Sequence, residues 1–220
     1  MNPLLGHDLT ILVPVLNRPH RVKPLLKSAL AATPKAEVLF LADPDDQPEI
    51  EALEQAGADF ITYDHGYAGK INHGVRKTER PLIFTAADDL HFHPGWFEIA
   101  NAQITDQVRV VGTNDLCSDR VRAGNHATHL LMTRDYALRP TADGKRGPFC
   151  EHYHHWYCDD ELVETAVSRN AITFAITSLV EHYHPMVGKA ETDSTYIKGA
   201  SRRREDRRLF MRRRKLWTPQ

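Results

Sequence analysis

"LTILVPVLNRPHRVKPLLKSALAATPKAEVLFLADPDD", residues 9–46 of the 220-residue chain, is the stretch from which the fold can be predicted. It begins with the apolar run Leu9–Val15, which is short and lacks helical spacing, as a buried strand does. Apolar residues then recur at helical spacing over residues 21–32, and a second apolar run, Ala36–Ala42, predicts a second buried strand. Strand, helix and strand in this order predict a parallel βαβ unit.

The alternation of strand and helix continues through the first half of the chain. A proline near its first turn and Gly57 near its end predict a helix over residues 48–58. Further strands are predicted at Asp59–Tyr63, residues 80–87 and Arg109–Gly112, with a loop and short helix at 66–78 and a helix from Pro94. We therefore predict an α/β, Rossmann-like fold, with a mostly parallel sheet and helices on both faces.

The second half of the chain carries a different pattern. One strand is predicted at His129–Thr133, a polar loop at Pro140–Tyr157, and a helix at residues 159–170 that opens on carboxylates. One or two strands follow over residues 171–185 and end in histidines. From Asp193 onward the chain is predicted to be helical and is very basic.

Composition limits the class of protein and its surroundings. The formal net charge is −1, 41% of residues are hydrophobic and 26% are charged, which is ordinary for a globular protein with a buried core. No apolar run reaches the ~18 residues of a membrane span, and the N-terminus has no signal-peptide pattern. Three cysteines are too few and odd in number for a disulfide framework. We therefore expect a protein of the reducing cytoplasm.

Polar clusters follow three of the predicted strands. They are Asn17–Pro19, Asp43–Asp46 and the stretch around Asp88 and Asp89. In parallel sheets ligands bind at the carboxyl ends of the strands, so we expect these clusters to share one site. The adjacent carboxylates of Asp88 and Asp89 repel each other, which requires a cation or open water in front of them. A divalent metal is one interpretation, and a solvated turn is the other.

Three common signatures of nucleotide-binding proteins and hydrolases are absent from the sequence. The first strand is not followed by G-x-G-x-x-G, which argues against a dehydrogenase. No G-x-x-x-x-G-K-[ST] occurs, which excludes a P-loop NTPase. No G-x-S-x-G occurs either, which argues against the usual serine hydrolase.

The motifs that do stand at the strand ends resemble those of the GT-A glycosyltransferases, in particular the family-2-like group of nucleotide-sugar enzymes. Six motifs follow the family's order between Leu9 and His184: "ILVPVLNRP", "LFLADPDD", "GYAGKINHG", "FTAADDLHFHPGW", "CDDEL" and "EHYHP". The sequence departs from the family at two positions. Ala87 replaces the first acid of the D-x-D motif, and Cys158 replaces the glutamate of the later acidic motif. The resemblance implies a GT-A-like fold and transfer of a sugar from a nucleotide-sugar.

The resemblance also implies a divalent metal, Mn²⁺ or Mg²⁺, that neutralises the leaving diphosphate. Asp89 aligns with the family's metal-binding aspartate, and His182 or His184 would add a nitrogen ligand, which favours Mn²⁺. On a strand these two histidines point the same way, so the spacing does not choose between them. Asp43 would accept from a base N–H, which suits uracil or thymine and favours a UDP-sugar; the alternative is that it caps the helix that follows. The residues that match the family's donor contacts are Pro14, Asn17, Arg18, Asp43, Lys70, Asn72 and Asp88.

A general base is also required, because the acceptor hydroxyl must lose its proton. Asp159 aligns with the family's base and Asp160 is the second choice, although either carboxylate could instead cap the helix that starts there. Direct in-line attack would invert the anomeric carbon. A competing interpretation of this region is a zinc site in the stretch "CEHYHHWYC", which holds Cys150, His152, His154, His155 and Cys158.

The C-terminus concentrates the positive charge of the chain. Residues 198–217 hold ten basic and two acidic residues, and helical spacing places Arg203, Arg207 and Arg214 near one face. Arginine favours bidentate phosphate contacts, so we predict a nucleic-acid acceptor, in particular a hydroxylated base in DNA. A solvated tail and a contact with anionic lipid are the alternatives.

We predict one GT-A-like glycosyltransferase domain at residues 1–192, with a nucleotide-binding half at about 9–112 and an acceptor half at about 113–192, followed by a basic C-terminal helical extension at 193–220. Two other functions fit the sequence. A nucleotidyltransferase of similar topology would keep the metal-binding aspartates but would normally carry a Gly-rich triphosphate loop. A non-catalytic nucleic-acid-binding protein is suggested by Ala87 and the basic tail.

Overall fold

A computed structural model describes residues 4–218, which form a single eight-stranded sheet with helices packed on it. The order of the strands across the sheet is β3-β2-β1-β4-β7-β6-β8-β5. Strands β1 to β4 pair in parallel with their neighbours, whereas β7 is antiparallel to both β4 and β6. The strands are β1 (Leu9–Pro14), β2 (Glu37–Ala42), β3 (Asp59–Thr62), β4 (Leu82–Thr85), β5 (Leu90–Phe92), β6 (Val110–Asn114), β7 (Leu130–Thr133) and β8 (Ile172–His182).

The helices alternate with the strands in the first half of the chain, as the sequence predicts. Asp46 caps the second helix by accepting a hydrogen bond from Glu49 N, and Gly57 ends that helix in the left-handed region at φ 62°. The helices are α1 (Val22–Ala32), α2 (Gln47–Ala56), α3 (Tyr67–Lys77), α4 (Trp96–Asn101), α5 (Asp119–Arg122), α6 (Arg134–Ala137), α7 (Cys158–Ser168) and α8 (Ser194–Arg213).

Both faces of the sheet are covered. Successive residues of β1 alternate between two hydrophobic clusters: Ile11 and Val13 belong to the cluster that includes Trp96 of α4, and Leu12 belongs to the cluster that includes Leu162 of α7. The predicted α/β fold with helices on both faces is therefore confirmed.

Four elements differ from the prediction. The three-residue strand β5, which pairs antiparallel with the end of β8, was not predicted because three residues are too short to show a period. The four-residue helices α5 and α6 were not predicted either. The segment after Gly66 forms a helix of 11 residues, α3, rather than a short one. Of the one or two strands predicted over residues 171–185 the structure has one, β8, and its pairing with β6 shifts register after Thr113.

The topology brings six strand ends to one edge of the sheet. Since β3 is parallel to β2, β7 is antiparallel to both β4 and β6, and β8 is parallel to β6, strands β1, β2, β3, β4, β6 and β8 all run in the same direction. Their carboxyl ends therefore meet. The polar clusters after β1, β2 and β4 and the histidine at the end of β8 lie at this edge.

The C-terminal helix α8 packs on the rest of the chain through buried charges. Asp206 is buried and accepts hydrogen bonds from the backbone N–H groups of His154, His155 and Trp156, each at 2.9 Å. Arg213 forms a bidentate pair with Glu161, with both distances at 2.7 Å. No helix in residues 4–218 is long and apolar enough to cross a membrane. The division of residues 1–192 into two halves stays a prediction.

Candidate active site

The first aspartate pair, Asp88 and Asp89, follows β4 and is buried, with 8% and 6% of the residue surface exposed. Arg18 donates to Asp88 Oδ1 at 2.9 Å, and Arg21 reaches Asp88 at 3.4 Å and Asp89 at 3.3 Å. Tyr196, in the first turn of α8, donates its hydroxyl to Asp89 Oδ2 at 2.7 Å. Two guanidinium groups and one phenol thus face the repelling carboxylates, so the pair is not a solvated turn.

The end of β8 brings a histidine to the same pair. His182 Nε2 lies 3.1 Å from Asp89 Oδ2, and backbone hydrogen bonds from His182 N to Asp115 O and from Tyr183 N to Asp89 O hold the strand end there. His184 is turned to a local contact, since its Nδ1 accepts from Met186 N at 3.1 Å. Of the two predicted histidines, His182 is therefore the one that lies against Asp89.

The two carboxyl groups of this pair differ in charge. Burial and the neighbouring Asp89 raise the pKa of Asp88 to about 7, although both arginines act in the opposite direction. Burial also opposes the ionisation of Asp89, but His182, Tyr196 and Arg21 outweigh it and hold the pKa of Asp89 far below its usual range. Asp89 raises the pKa of His182 in return, against the effect of burial. Asp89 is thus the fixed anion of the pair.

Asp89 and His182 fit a divalent cation by their chemistry. Asp89 Oδ1 is a buried carboxylate oxygen that has no hydrogen-bond partner among the described residues. An unpaired buried acceptor of this kind is costly unless a cation or water satisfies it. A carboxylate oxygen and an imidazole nitrogen together suit Mn²⁺.

The predicted donor contacts lie around the ends of β1 and β2. Pro14 ends β1, and Asn17 lies in the following turn at φ 55°, with its backbone N–H bonded to Asp46 Oδ2. Lys70, at the start of α3, is buried and donates to Val15 O at 2.9 Å, and its Nζ lies 3.2 Å from Asp43 Oδ1. Because Asp46 caps α2, Asp43 is left without a capping role.

Asn72 makes contacts of a different kind from those of the other predicted donor residues. Its amide donates to Phe149 O and to Glu151, and its oxygen accepts from Phe149 N. All three hydrogen bonds go to the loop at residues 140–157. In this structure Asn72 therefore holds that loop.

The second aspartate pair, Asp159 and Asp160, lies in the first turn of α7. Neither caps the helix, because the N-cap position is taken by Tyr157, at φ 71°. Asp159 Oδ2 lies 3.3 Å from His126 Nε2, and Asp160 Oδ1 accepts from Arg120 at 3.1 Å. Both carboxylates are thus engaged by side chains of the segment between β6 and β7.

The second pair also divides its charge unequally. Burial opposes the ionisation of Asp159, but the hydrogen bond and charge of His126 outweigh it, so the pKa of Asp159 is lowered. Burial and the charge of Asp159 raise the pKa of Asp160. The pKa of His126 is raised, because the two carboxylates outweigh its burial. Asp159 is therefore the more readily ionised member of this pair.

Ligand atoms of His126, Asp159 and Asp160 lie within 4.8 Å of one another, so these three side chains could hold a metal ion. In residues 4–218 no other group of three or more histidine, cysteine or acidic side chains converges in this way. Among the five residues of the zinc alternative, no three bring their ligand atoms this close together in this structure. Its members point to different partners: Cys158 Sγ to His155 O, His152 to Lys145 and His154 to Glu205.

The predicted acceptor arginines have different surroundings. Arg203 and Arg207 are exposed on α8, and the Arg203 guanidinium lies 4.8 Å from the centre of the Trp156 ring. Arg214 follows α8 and pairs with Glu164 at 2.9 Å.

Four residues that surround the two aspartate pairs were not predicted from the sequence. They are Arg21, His126, Asp193 and Tyr196; Asp193 forms a bidentate pair with Arg18 at 2.8 and 2.9 Å. Arg21 lies one helical turn after Arg18, which is the only sequence signal for it. The other three come from segments outside the motifs that carry the resemblance.

The comparisons with known proteins give a family and a fold. The family model described as glycosyl transferase family 2 matches residues 10–165. The chain is similar to a mannosyltransferase of Pyrobaculum calidifontis solved with GDP-Man and Mn²⁺, at TM-score 0.63 and 13% identity, covering 83% of this chain and 58% of that one. A search of curated protein sequences gives no match.

Two further solved structures have the same fold. One is the glucosyl-3-phosphoglycerate synthase of Mycobacterium tuberculosis with Mn²⁺, UDP and glucosyl-3-phosphoglycerate, at TM-score 0.62 and 13% identity, covering 93% of this chain and 79% of that one. The other is TarS of S. aureus, at TM-score 0.56 and 13% identity, covering 76% of this chain and 57% of that one. An identity of 13% shows a shared fold, and the donors and acceptors of these proteins are not transferred to this chain.

Proposed function

The chain belongs to glycosyl transferase family 2, and on that premise we propose that it transfers a sugar from a nucleotide-sugar, preferably a UDP-sugar, to an acceptor hydroxyl with a divalent metal. The observation that carries this proposal is the buried, unpaired Asp89 Oδ1 beside His182. Asp89 and His182 would hold Mn²⁺ or Mg²⁺. When bound, such a cation stabilises the negative charge that develops on the leaving diphosphate.

The cationic side chains near Asp89 support the binding of a diphosphate. Arg18 and Arg21 lie within 3.4 Å of the first aspartate pair, and Lys70 lies at the neighbouring strand end. Guanidinium groups bind phosphate oxygens through two N–H donors at once. Asp43 would accept from the base, which is the reason for preferring a uracil nucleotide.

Asp159 is the proposed general base. It takes the proton of the acceptor hydroxyl while the oxygen forms a bond to the anomeric carbon and the bond from that carbon to the diphosphate breaks. The low pKa of Asp159 keeps it ionised at neutral pH, ready to accept the proton. Direct attack from the face opposite the leaving group inverts the anomeric carbon.

The proposed acceptor is a nucleic acid, in particular a hydroxylated base in DNA. The exposed guanidinium groups of Arg203 and Arg207 on α8 favour a polyanion, and the first turn of the same helix touches Asp89 through Tyr196. A base within a duplex would have to be flipped out to reach Asp159. Small-molecule, glycan and protein acceptors are the outcomes against which this is tested.

The test of the reaction is a donor panel of UDP-, GDP- and dTDP-sugars with Mn²⁺, in which release of the nucleotide diphosphate is measured. Turnover of any donor excludes a non-catalytic nucleic-acid-binding protein, and release of pyrophosphate from a nucleoside triphosphate would instead indicate a nucleotidyltransferase. If no donor turns over with any acceptor offered, the proposed reaction is wrong.

The test of the acceptor uses duplexes with and without hydroxymethylated bases, across a salt series. Each phosphate contact should add about 0.9 to the slope of log affinity against log salt. The double variant Arg203→Gln, Arg207→Gln should lower the slope, whereas the matched pair Lys23→Gln, Lys27→Gln on the exposed face of α1 should not. Weak, salt-independent binding in all three proteins would exclude the nucleic-acid acceptor.

A further inference from the structure

His126 is a buried histidine whose role is not explained by the family motifs. It lies in the segment between α5 and β7 and is 6% exposed. Its Nε2 lies 3.3 Å from Asp159 Oδ2, while its Nδ1 has no hydrogen-bond partner among residues 4–218 and lies 4.0 Å from Asp160 Oδ1. The ring thus stands between the two carboxylates of α7 and contacts Asp159 directly.

The two carboxylates of α7 are held by different side chains. Asp160 is held from the other side by Arg120, whose Nη1 lies 3.1 Å from Asp160 Oδ1. Asp159 has no arginine or lysine within ion-pair distance in the described part of the chain, so His126 is the one side chain that fixes its carboxylate. A carboxylate that must meet an acceptor hydroxyl has to be held in one orientation, because proton transfer requires hydrogen-bond distance.

We propose that His126 is a positioning residue for the general base: its Nε2–H holds the Asp159 carboxylate in the orientation that receives the acceptor proton. This rests on the proposed function of Asp159. His126 itself takes no proton from the acceptor. The proton removed from the hydroxyl stays on the Asp159 carboxyl, and the hydrogen bond to Nε2 persists.

The competing use of the same three side chains is a metal site. The structure favours the positioning role on three grounds. A cation bound to both His126 Nε2 and Asp159 Oδ2 would have to replace the hydrogen bond between them, and among the described residues neither Asp159 nor Asp160 has a buried, unpaired oxygen such as Asp89 Oδ1. Arg120 also already supplies a positive charge to Asp160. The metal is therefore an outcome of the test that would overturn the proposal.

The test compares three variants of the full-length protein by steady-state kinetics with saturating acceptor. His126→Leu removes the N–H group that bonds Asp159. We expect kcat to fall about 10- to 100-fold, the usual cost of removing a group that orients a catalytic side chain, while the KM for the nucleotide-sugar stays unchanged. His126→Gln keeps an N–H at a similar reach and should recover most of kcat. His73→Leu is the matched control, because its ring stacks on Tyr63 and touches neither aspartate pair.

A double variant separates the role of His126 from that of the reaction as a whole. In an Asp159→Asn background, His126→Leu should lower kcat by less than about threefold, because two residues that act as a unit lose their effects together. The positioning role would be overturned if the kcat losses of Asp159→Asn and His126→Leu multiply in the double variant, or if His126→Leu and His126→Gln lose kcat equally. It would also be overturned if the KM for the nucleotide-sugar rises while kcat is retained. So would full activity of Asp159→Asn, which would leave the glycosyl transfer itself in place.

Folding and metal content complete the test. Thermal unfolding of each variant comes first, and His126→Ala takes the place of His126→Leu if that variant does not fold. Metal analysis of protein purified without chelator should give the same metal content for wild type and His126→Gln. A bound metal that is lost from His126→Leu and kept by Asp89→Ala would overturn the proposal in favour of a metal site.

Discussion

The protein contains the dipeptide Asp-Asp at two places in its candidate site and treats the two pairs in opposite ways. Asp88 and Asp89 follow a central strand, are nearly fully buried, and are closed in by two arginines and Tyr196. Asp159 and Asp160 begin a helix, are only half-buried, and face a single histidine and an exposed arginine. In the first pair the second aspartate has the lower pKa, and in the second pair the first aspartate does.

The difference shows that the partners, and not the dipeptide, decide which carboxylate is charged. Two adjacent carboxyl groups in a low dielectric do not ionise equally, since the second negative charge is repelled by the first. In the first pair the pKa of Asp89 is the lower one because His182, Tyr196 and Arg21 all face it. In the second pair the pKa of Asp159 is the lower one because His126 donates to it. A permanent anion walled by cations suits a metal ligand, and a more open anion suits a base.

Replacement of Asp89 by alanine should have the largest effect. We expect donor turnover to fall by at least about 10³-fold, because the fixed anion that would bind the cation is lost, and several kcal/mol of charge stabilisation with it. The structure adds a cost in stability of about 1–3 kcal/mol, since Asp89 is buried and Arg21, His182 and Tyr196 lose their partner. Initial rates against Mn²⁺ concentration measure the first effect, and thermal unfolding measures the second.

Asp88→Asn is the control for that experiment. Because Asp88 is the member with the raised pKa, its amide replaces a carboxyl that carries less charge, and we expect a smaller loss than at Asp89. Turnover retained in Asp89→Ala at an unchanged Mn²⁺ requirement would show that the first pair holds no metal.

The second pair should respond next in size. Asp159→Asn should lower kcat by about 10²- to 10³-fold, the usual contribution of a general base, and leave donor affinity unchanged, because the base acts on the acceptor. Asp160→Asn should lose much less. The measurements are kcat and the dissociation constant of the donor for both variants. If Asp160→Asn alone abolishes transfer, the two members of this pair exchange roles.

The arrangement of strands could be predicted from the sequence, but the contents of the site only in part. Runs such as Leu9–Val15 and signals such as Gly57 are local, and local patterns specify elements. Tyr196 meets Asp89 across 107 residues of sequence, and His126 meets Asp159 across 33. Such contacts depend on how helices and loops pack, which no motif encodes. The resemblance predicts roles for Asp89 and Asp159 because their positions are fixed by strand and helix ends.

His129 should make the stability of the protein depend on pH. Burial and His182 lower the pKa of His129 to about 4, so the folded protein keeps His129 neutral where the unfolded chain already binds a proton. The stabilising effect of neutral His129 is complete above about pH 6.5 and decreases as the pH falls towards 4. His184, whose pKa burial lowers to about 4, acts in the same direction.

The measurement is the difference in unfolding free energy between wild type and His129→Gln at several pH values, because Asp88, with its raised pKa, acts in the opposite direction in the wild type. We expect the wild type to lose up to about 3 kcal/mol more than the variant between pH 6.5 and 4, from 1.36 kcal/mol per pKa unit. At the second pair the pKa of His126 is raised, so no such loss is expected there. Parallel curves for the two proteins would contradict the neutral, buried state of His129.

The smallest predicted effect is that of Tyr196, in the first turn of α8, which contacts the first aspartate pair and not the second. The hydroxyl of Tyr196 donates to Asp89 Oδ2 at 2.7 Å and so withdraws negative charge from the carboxylate whose unpaired Oδ1 would meet a cation. Tyr196→Phe removes that hydrogen bond and keeps the ring, which lies 3.9 Å from the Arg18 guanidinium. We expect Mn²⁺ to bind about three- to tenfold more tightly, the equivalent of one hydrogen bond of ordinary strength, about 0.7–1.4 kcal/mol. Tyr183→Phe is the control, because Tyr183 meets Tyr196 only through its backbone oxygen. Calorimetric Mn²⁺ titration in the presence of UDP gives the affinities, and weaker binding in Tyr196→Phe would mean that the phenol belongs to the metal site and does not block it.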